Sequence, residues 1–215
     1  MSRLPVLLLM LFCATASFAQ SSVDEYRGEA LEGLASDNVE RRVEAVIWFA
    51  AHGKPADAEM LVQRLTDESP HVRAAAEQGL WVLWSRSGEK AVDALMEKGS
   101  QEVEAGRLKQ AIATFSEVIR RKPEFAEGWN KRATAEFLVG DLRQSLADCG
   151  EVLKRNRYHF GALAGYGQIY FQLEQYGKAI EYWKRALRVN PNMGGVENSI
   201  KSTEELLDER RKQSV

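Results

Sequence analysis

Between Val92 and Met193 the chain repeats itself with a period of about 34 residues, and this period constrains its fold more than any other feature. Ala179, Trp183, Ala186 and Pro191 have counterparts one period earlier in Ser145, Cys149, Val152 and Arg157. One further period back stand Ala111, Phe115, Val118 and Pro123. Within windows 92–125, 126–159 and 160–193 these are positions 20, 24, 27 and 32. Position 15 carries Gly106, Gly140 and Glu174, and position 17 carries Leu108, Leu142 and Tyr176. Self-similarity at such a period marks an array of helix-turn-helix units that stack on one another to bury their apolar faces.

Each window is expected to form two antiparallel helices, A and B. Small residues at positions 20 and 27 let helix B approach its partner closely. Large residues at positions 4 (Leu95, Trp129, Leu163), 24, and 28 (Ile119, Leu153, Leu187) fill the space between. Pro123 and Pro191 end helix B, because proline cannot continue a helix. The middle window has Arg157 there, which predicts a softer turn. The first has Lys98 and Glu102 at positions 7 and 11, usually apolar, and the N-terminal segment is expected to cover its first helix. Cys149 occupies position 24 beside Phe115 and Trp183 in the sister windows, which predicts a buried small apolar side chain; a redox or nucleophilic role is the alternative.

A second periodicity lies upstream. Leu34, Asp37, Arg42 and Ala45 are echoed at one constant, shorter offset by Leu65, Glu68, Arg73 and Ala76. Helices are predicted over roughly 24–34, up to the Gly53-Lys-Pro55 turn, over 56–65, and over 70–84, with Pro70 suited to a first turn where its missing N–H is no loss. Trp81 and Trp84 in the fourth helix predict an internal joint with the downstream array; lining a ligand groove is the other reading. Ser85 to Gly88 makes the break. At the far end, Val196, Ile200, Thr203 and Leu207 form one narrow apolar stripe, as a helix capping the last unit requires.

The N-terminus reads as a secretory signal peptide: one positive charge, an apolar core over Val6 to Cys13, and small residues at Ser17 and Ala19. Cleavage is expected after Ala19; Phe12 before Cys13 is a poor match to lipoprotein processing. No later segment reaches the roughly 18 apolar residues of a membrane span, so no transmembrane anchor is expected after cleavage. The balance of 29 basic against 31 acidic residues lacks the basic surface that displaces counterions, so no nucleic-acid partner is expected. His52, His71 and His159 are scattered without the spacing of a helical metal site, and no phosphate loop or nucleophile elbow is present. No metal, cofactor or catalysis is expected.

The three windows resemble tetratricopeptide repeats. The words Ser-Asp-Asn-Val-Glu-Arg-Arg-Val-Glu-Ala and Asp-Glu-Ser-Pro-His-Val-Arg-Ala-Ala-Ala resemble a HEAT-type pair, in which the Asp of one turn commonly pairs with an Arg of the next repeat. These resemblances imply an all-α fold: a right-handed α-solenoid with a HEAT-like pair, three tetratricopeptide repeats and a capping helix. The division expected is a signal peptide over 1–19, HEAT-like repeats over 20–88, tetratricopeptide repeats within 89–193, and a capping helix with tail over 194–215.

The tetratricopeptide resemblance further implies a concave groove lined by helix A positions 2, 5, 6, 9, 12 and 13. Asn130, Lys131, Thr134 and Phe137 of the middle window, with Gln168 and Phe171 of the third, are its candidate peptide-binding residues, and Met96 of the first adds an apolar group. Relatives that grip the C-terminal tails of cytosolic chaperones use a Lys/Arg/Asn clamp there. This chain offers Asn130 and Lys131 alone, so a full clamp is not expected, and apolar anchors with backbone hydrogen bonds suit the groove better. Gly161 and Gly165 are expected to leave room for a ligand or a neighbouring helix. The run Trp129-Asn-Lys-Arg-Ala-Thr134 with His159-Phe-Gly-Ala-Leu163 resembles exported bacterial tetratricopeptide proteins. The function implied is a periplasmic or secreted, non-catalytic scaffold for a protein or peptide partner; the alternatives are a structural subunit of an envelope assembly and a regulatory partner of an envelope enzyme.

Overall fold

The computed structural model describes residues 25–213, and the expected signal peptide lies outside them. The described residues form helices joined by short turns: α1 (25–34), α2 (Val39–His52), a 3-10 turn at Pro55–Asp57, α3 (Ala58–Arg64) and α4 (Pro70–Ser85). Then follow α5 (Lys90–Glu104), α6 (Leu108–Arg121), α7 (Ala126–Val139), α8 (Leu142–Arg155), α9 (Phe160–Gln172), α10 (Tyr176–Val189) and α11 (Gly194–Gln213). The three windows are the hairpins α5/α6, α7/α8 and α9/α10, and the second and third A helices, α7 and α9, each pack on the preceding B helix. The result is a helical solenoid.

The window positions acquire physical meaning in these hairpins. Position 15 is the turn between helices A and B, and Gly106, Gly140 and Glu174 all adopt positive φ there (69°, 85° and 56°). Glycine does so without steric cost, whereas the third window holds a side chain in the same left-handed geometry. Positions 8 and 24 are matched in size. A Cβ on Gly99 would stand 2.4 Å from the Phe115 ring, and one on Gly167 would stand 2.2 Å from the Trp183 ring. In the middle window the same positions hold Ala133 and Cys149, which share one small apolar cluster with Ile169. The large aromatic thus enters only where helix A has no side chain.

The polar departures at position 11 are buried, not covered by the N-terminal segment as expected. Glu102 accepts the Thr114 hydroxyl at 2.6 Å. Glu136 lies beside Asp148, which Arg132 holds through Nε at 2.6 Å and Nη2 at 2.9 Å. The third window uses three stacked tyrosines, Tyr166, Tyr170 and Tyr182, with ring centroids 4.4 to 6.1 Å apart. One structural niche is therefore filled in three chemical ways.

The upstream repeat is visible as a repeated set of hydrogen bonds. Asn38 caps α2 by accepting the Arg41 amide at 2.8 Å. Arg42 donates from Nη1 to the carbonyls of Ser36 (2.9 Å) and Asp37 (3.1 Å). At the equivalent place in the next repeat, Arg73 donates to the carbonyls of Asp67 (2.9 Å) and Glu68 (3.1 Å) in the same way. Arg42 also crosses to Asp67, with Nη2 2.9 Å from Oδ1. Burial raises the Asp67 carboxyl, but the hydrogen bonds from Arg42 and the Ser69 amide outweigh it and hold the carboxyl below its usual range.

This N-terminal unit joins the solenoid at its side. Phe160, at the start of α9, belongs to the same core as Val46, Phe49, Leu61, Leu80 and Trp84, with Tyr158, Val189 and Met193 packed against it. Trp84 stacks on His159 with centroids 4.8 Å apart, and Trp81 meets Phe160 edge-on at 5.0 Å. The tryptophans form a joint, and its seat is the turns after α8 and α10. Arg157 lies there, 3.5 Å from Glu59, and its neighbour Tyr158 donates to Glu59 at 2.6 Å. The turn at Arg157 is not softer. Asn156 closes α8 at φ −141°, ψ 92°, close to the −128° and 95° of Asn190 after α10, and the Asn156 amide still bonds Val152. At the other end α11 buries Ile200 and Thr203, with Ile200 packed in one cluster with Trp183.

Candidate functional site

The A helices α5, α7 and α9 stand side by side and α11 closes the series, which gives the solenoid one face lined by helix A side chains. On that face, between α7 and α9, a cavity of about 200 Å³ opens. Asn130, Thr134 and Phe137 of α7 and Gln168 of α9 line it, four of the six residues expected in the groove. Cys149, Ala133 and Ile169 form its apolar floor. The cavity lies where the middle window carries Cys149 and the sister windows carry rings.

A second cavity of about 280 Å³ follows between α9 and α11, lined by Gln168, Phe171 and Trp183 with Asn198 and Ser202 opposite. Gln168 separates the two. Phe171 also packs edge-on against Tyr176 at 5.4 Å. Lys131 lines neither cavity; its Nζ lies 3.9 Å from Oε1 of Glu127. Met96 is not in the groove. Its side chain is buried with Val92 and Phe115, because α5 turns that position inward.

The polar equipment of the face is modest and oriented. Asn130 donates through Nδ2 to both Glu127 oxygens at 3.2 Å, which points its carbonyl oxygen away from that carboxylate. Glu127 is itself buried and receives His159 Nε2 at 3.0 Å, while His159 Nδ1 accepts the Ala162 amide at 3.1 Å. Since Nδ1 accepts, the ring proton resides on Nε2, and His159 is a neutral N-cap of α9. Toward the first window α5 exposes the carboxylates Glu97 and Glu104, while Asp93 accepts the Ser87 amide at 3.0 Å.

Of the two glycines expected to leave room, Gly161 is used by the chain itself: a Cβ there would stand 2.5 Å from Cη2 of Trp81. The joint with α4 thus occupies one end of the groove. Gly165 leaves its space to the cavity, its would-be Cβ 3.7 Å from the Cys149 sulfur. Cys149 is a poor nucleophile. Burial first, and the charges of Asp148 and Glu136 next, push its thiol up to about 12. Reasoning from residue types missed the cavity floor, although the small residue at position 24 was its visible signal.

A larger cleft, about 630 Å³, lies elsewhere, between Pro55, Trp84 and the turns after α6 and α8. Its cations are engaged: Lys122 with Glu89 at 2.6 Å, Arg155 with Glu151 at 2.6 Å, and Arg86 with the Ala51 and Gly53 carbonyls that end α2. They complement helix C-termini and leave little positive field for an anion.

Residues 96–142 and 163–193 match models of the tetratricopeptide repeat. A TPR repeat-containing protein of Rhizobium etli is 29% identical over 133 residues, covering 62% of this chain and 65% of that relative's length. The Sgt2 TPR domain from Aspergillus fumigatus superposes with a TM-score of 0.55 at 16% identity, over 58% of this chain and 83% of that one. The first TPR of Spaghetti (RPAP3), solved bound to the HSP90 peptide SRMEEVD, gives 0.53 at 23% identity, over 54% and 93%. At such identities the two structures speak for the fold alone. Family models and relative agree on tetratricopeptide repeats within this chain, over 96–142 and 163–193, and the solved structures share their stacking as a helical solenoid.

Proposed function

We propose that the protein is a non-catalytic interaction scaffold of the cell envelope that holds a peptide or protein partner on the helix A face of its repeats. The observation that carries this reading is the cavity between α7 and α9, where Asn130, Thr134, Phe137 and Gln168 surround an apolar floor. A concave site with a few convergent polar groups is the usual form of a binding site. Lys131 and Phe171 flank it as rim and second cavity. The first TPR of Spaghetti (RPAP3), which shares this fold, was solved with a bound peptide, and this supports a peptide as the class of partner. The envelope setting rests on the signal-peptide pattern of residues 1–19. No described helix is long and apolar enough to cross a membrane. The N-terminal unit is read as a HEAT-like pair on the Arg42–Asp67 bond and its echo at Arg73.

A structural-subunit reading draws on one observation. Leu138, Val139 and Leu173 are exposed at the ends of α7 and α9, on the edge opposite the N-terminal unit. Affinity capture from envelope extract separates the two. A partner held by wild type and lost by Asn130→Ala/Phe137→Ala supports the groove; one lost only by Leu138→Ser/Leu173→Ser replaces it with the edge.

A further inference from the structure

The middle window departs from its neighbours in one respect that has a volume. Position 24 is Phe115 in the first window and Trp183 in the third, each ring lodged against a glycine at position 8. In the middle window the pair is Ala133 and Cys149, and the space a ring would fill is the cavity of about 200 Å³ open to the groove. Its lining is chiefly apolar, with Phe137 as one wall. At its rim, Asn130 and Gln168 present amides from two adjacent helices, and the Gln168 side chain makes no hydrogen bond among the described residues. Glycine at 165 leaves the α9 wall open.

We infer that this pocket receives one bulky apolar side chain of a bound peptide, and that the peptide carries basic residues beside it. This inference rests on the groove reading above and specifies its occupant. The volume supplies an anchor position of the kind that dominates interface energetics. The Asn130 and Gln168 amides are placed to bond the peptide backbone on either side of the anchor. The charge follows from α5, the next helix along, which exposes Glu97 and Glu104 at the positions that carry groove residues in the other windows. An acidic tail meets repulsion on that side, whereas a Lys or Arg meets complementary charge. The occupant is therefore an apolar-basic segment, opposite in sign to SRMEEVD.

The test uses fluorescein-labelled nonapeptides of Ser and Gly with a central Phe and a Lys two residues to either side. Matched peptides carry Ala for Phe, or Glu for Lys, and fluorescence anisotropy reads binding. The decisive variant is Ala133→Gly/Cys149→Phe, which installs the Gly99/Phe115 pair of the first window and fills the pocket with chemistry the repeat already accommodates. Gly165→Met fills it from the α9 wall and stands in if the paired variant fails to fold by circular dichroism. Wild type is expected to bind the Phe/Lys peptide roughly tenfold tighter than the Ala or Glu peptides, and the filled variants to lose the preference for Phe. Binding that ignores both the Phe and the filled pocket, yet falls with Asn130→Ala, overturns the pocket and leaves the groove. Binding that ignores Asn130→Ala as well, or no binding of any peptide, overturns both. Self-association by light scattering that the filled variants abolish, without peptide binding, makes a second copy the occupant and overturns the inference.

Discussion

Arg73 donates from Nε to Oδ1 of Asn192 at 3.0 Å, and so ties the upstream unit to the turn after the last repeat. Asn192 reciprocates by donating through Nδ2 to the Leu65 carbonyl at 2.9 Å. The bond continues a ladder: Arg42 reaches forward to Asp67, and Arg73, its equivalent in the next repeat, reaches forward to Asn192. The solenoid turn takes the place that a third upstream repeat would hold.

This joint is expected to make the described chain one cooperative body. Wild type is expected to unfold in urea as a single transition. Asn192→Ala should cost about 1 kcal/mol, the usual net worth of such hydrogen bonds. Trp84→Ala removes the ring stacked on His159 and should cost about 3 kcal/mol, within the range for buried aromatics. It should also split the transition in two, read by far-UV circular dichroism against tryptophan fluorescence. A single transition in Trp84→Ala would show that the joint contributes little.

The size match of positions 8 and 24 predicts an asymmetric response. Gly167→Ala places a methyl against Trp183, which is 3% exposed and has nowhere to move. It should destabilise by about 2 kcal/mol through overpacking, despite alanine's better helix propensity. Trp183→Phe in the same chain should recover part of the loss, measured as the urea midpoint.

Position 15 gives the opposite sign. Glu174 holds φ +56° at the turn where both sister windows use glycine. Glu174→Gly should stabilise by about 1 kcal/mol by relieving the left-handed strain, while Gly140→Ala should cost about as much. The Arg210 guanidinium 3.6 Å away does little to offset this, since both side chains are exposed. Thermal midpoints of the two variants check the pair of signs.

Much of this was legible in the chain, and what escaped has a physical reason. The repeat register placed the helices and the core positions 20, 24 and 27, because repeat packing is local. The apolar stripe of α11 was likewise readable, since a single amphipathic face has one use. The position of the joint was not: Asn192 meets Leu65 across 127 residues, and no periodicity encodes such a meeting. Met96 followed the groove pattern of its window but rolled into the core beside Phe115. Asn130, Thr134, Phe137 and Gln168 line one cavity, and that cavity arises from what Cys149 lacks. A list of candidate side chains does not register a missing ring.

Glu136 confers a pH dependence. Its carboxyl is pushed up to about 7, by burial first and by the Asp148 charge next, with Arg132 offsetting part. A carboxyl whose folded pKa is raised stabilises the fold fully below its unfolded value, near 4.5, and loses that contribution as the pH rises through about 7. Wild-type stability should fall over that interval. Glu136→Gln, which keeps a donor toward Asp148 without the charge, should flatten the profile and be the more stable protein above neutrality. Thermal melts across the pH series give the answer.

The most direct test of the account is photocrosslinking from single positions in the intact envelope. A benzoylphenylalanine at Gln168, between the two cavities, should capture a partner; the same group at Lys184 on helix B, or at Ile47 on α2, should not. Capture at Lys184 or Ile47 with none at Gln168 would contradict the groove as the binding face.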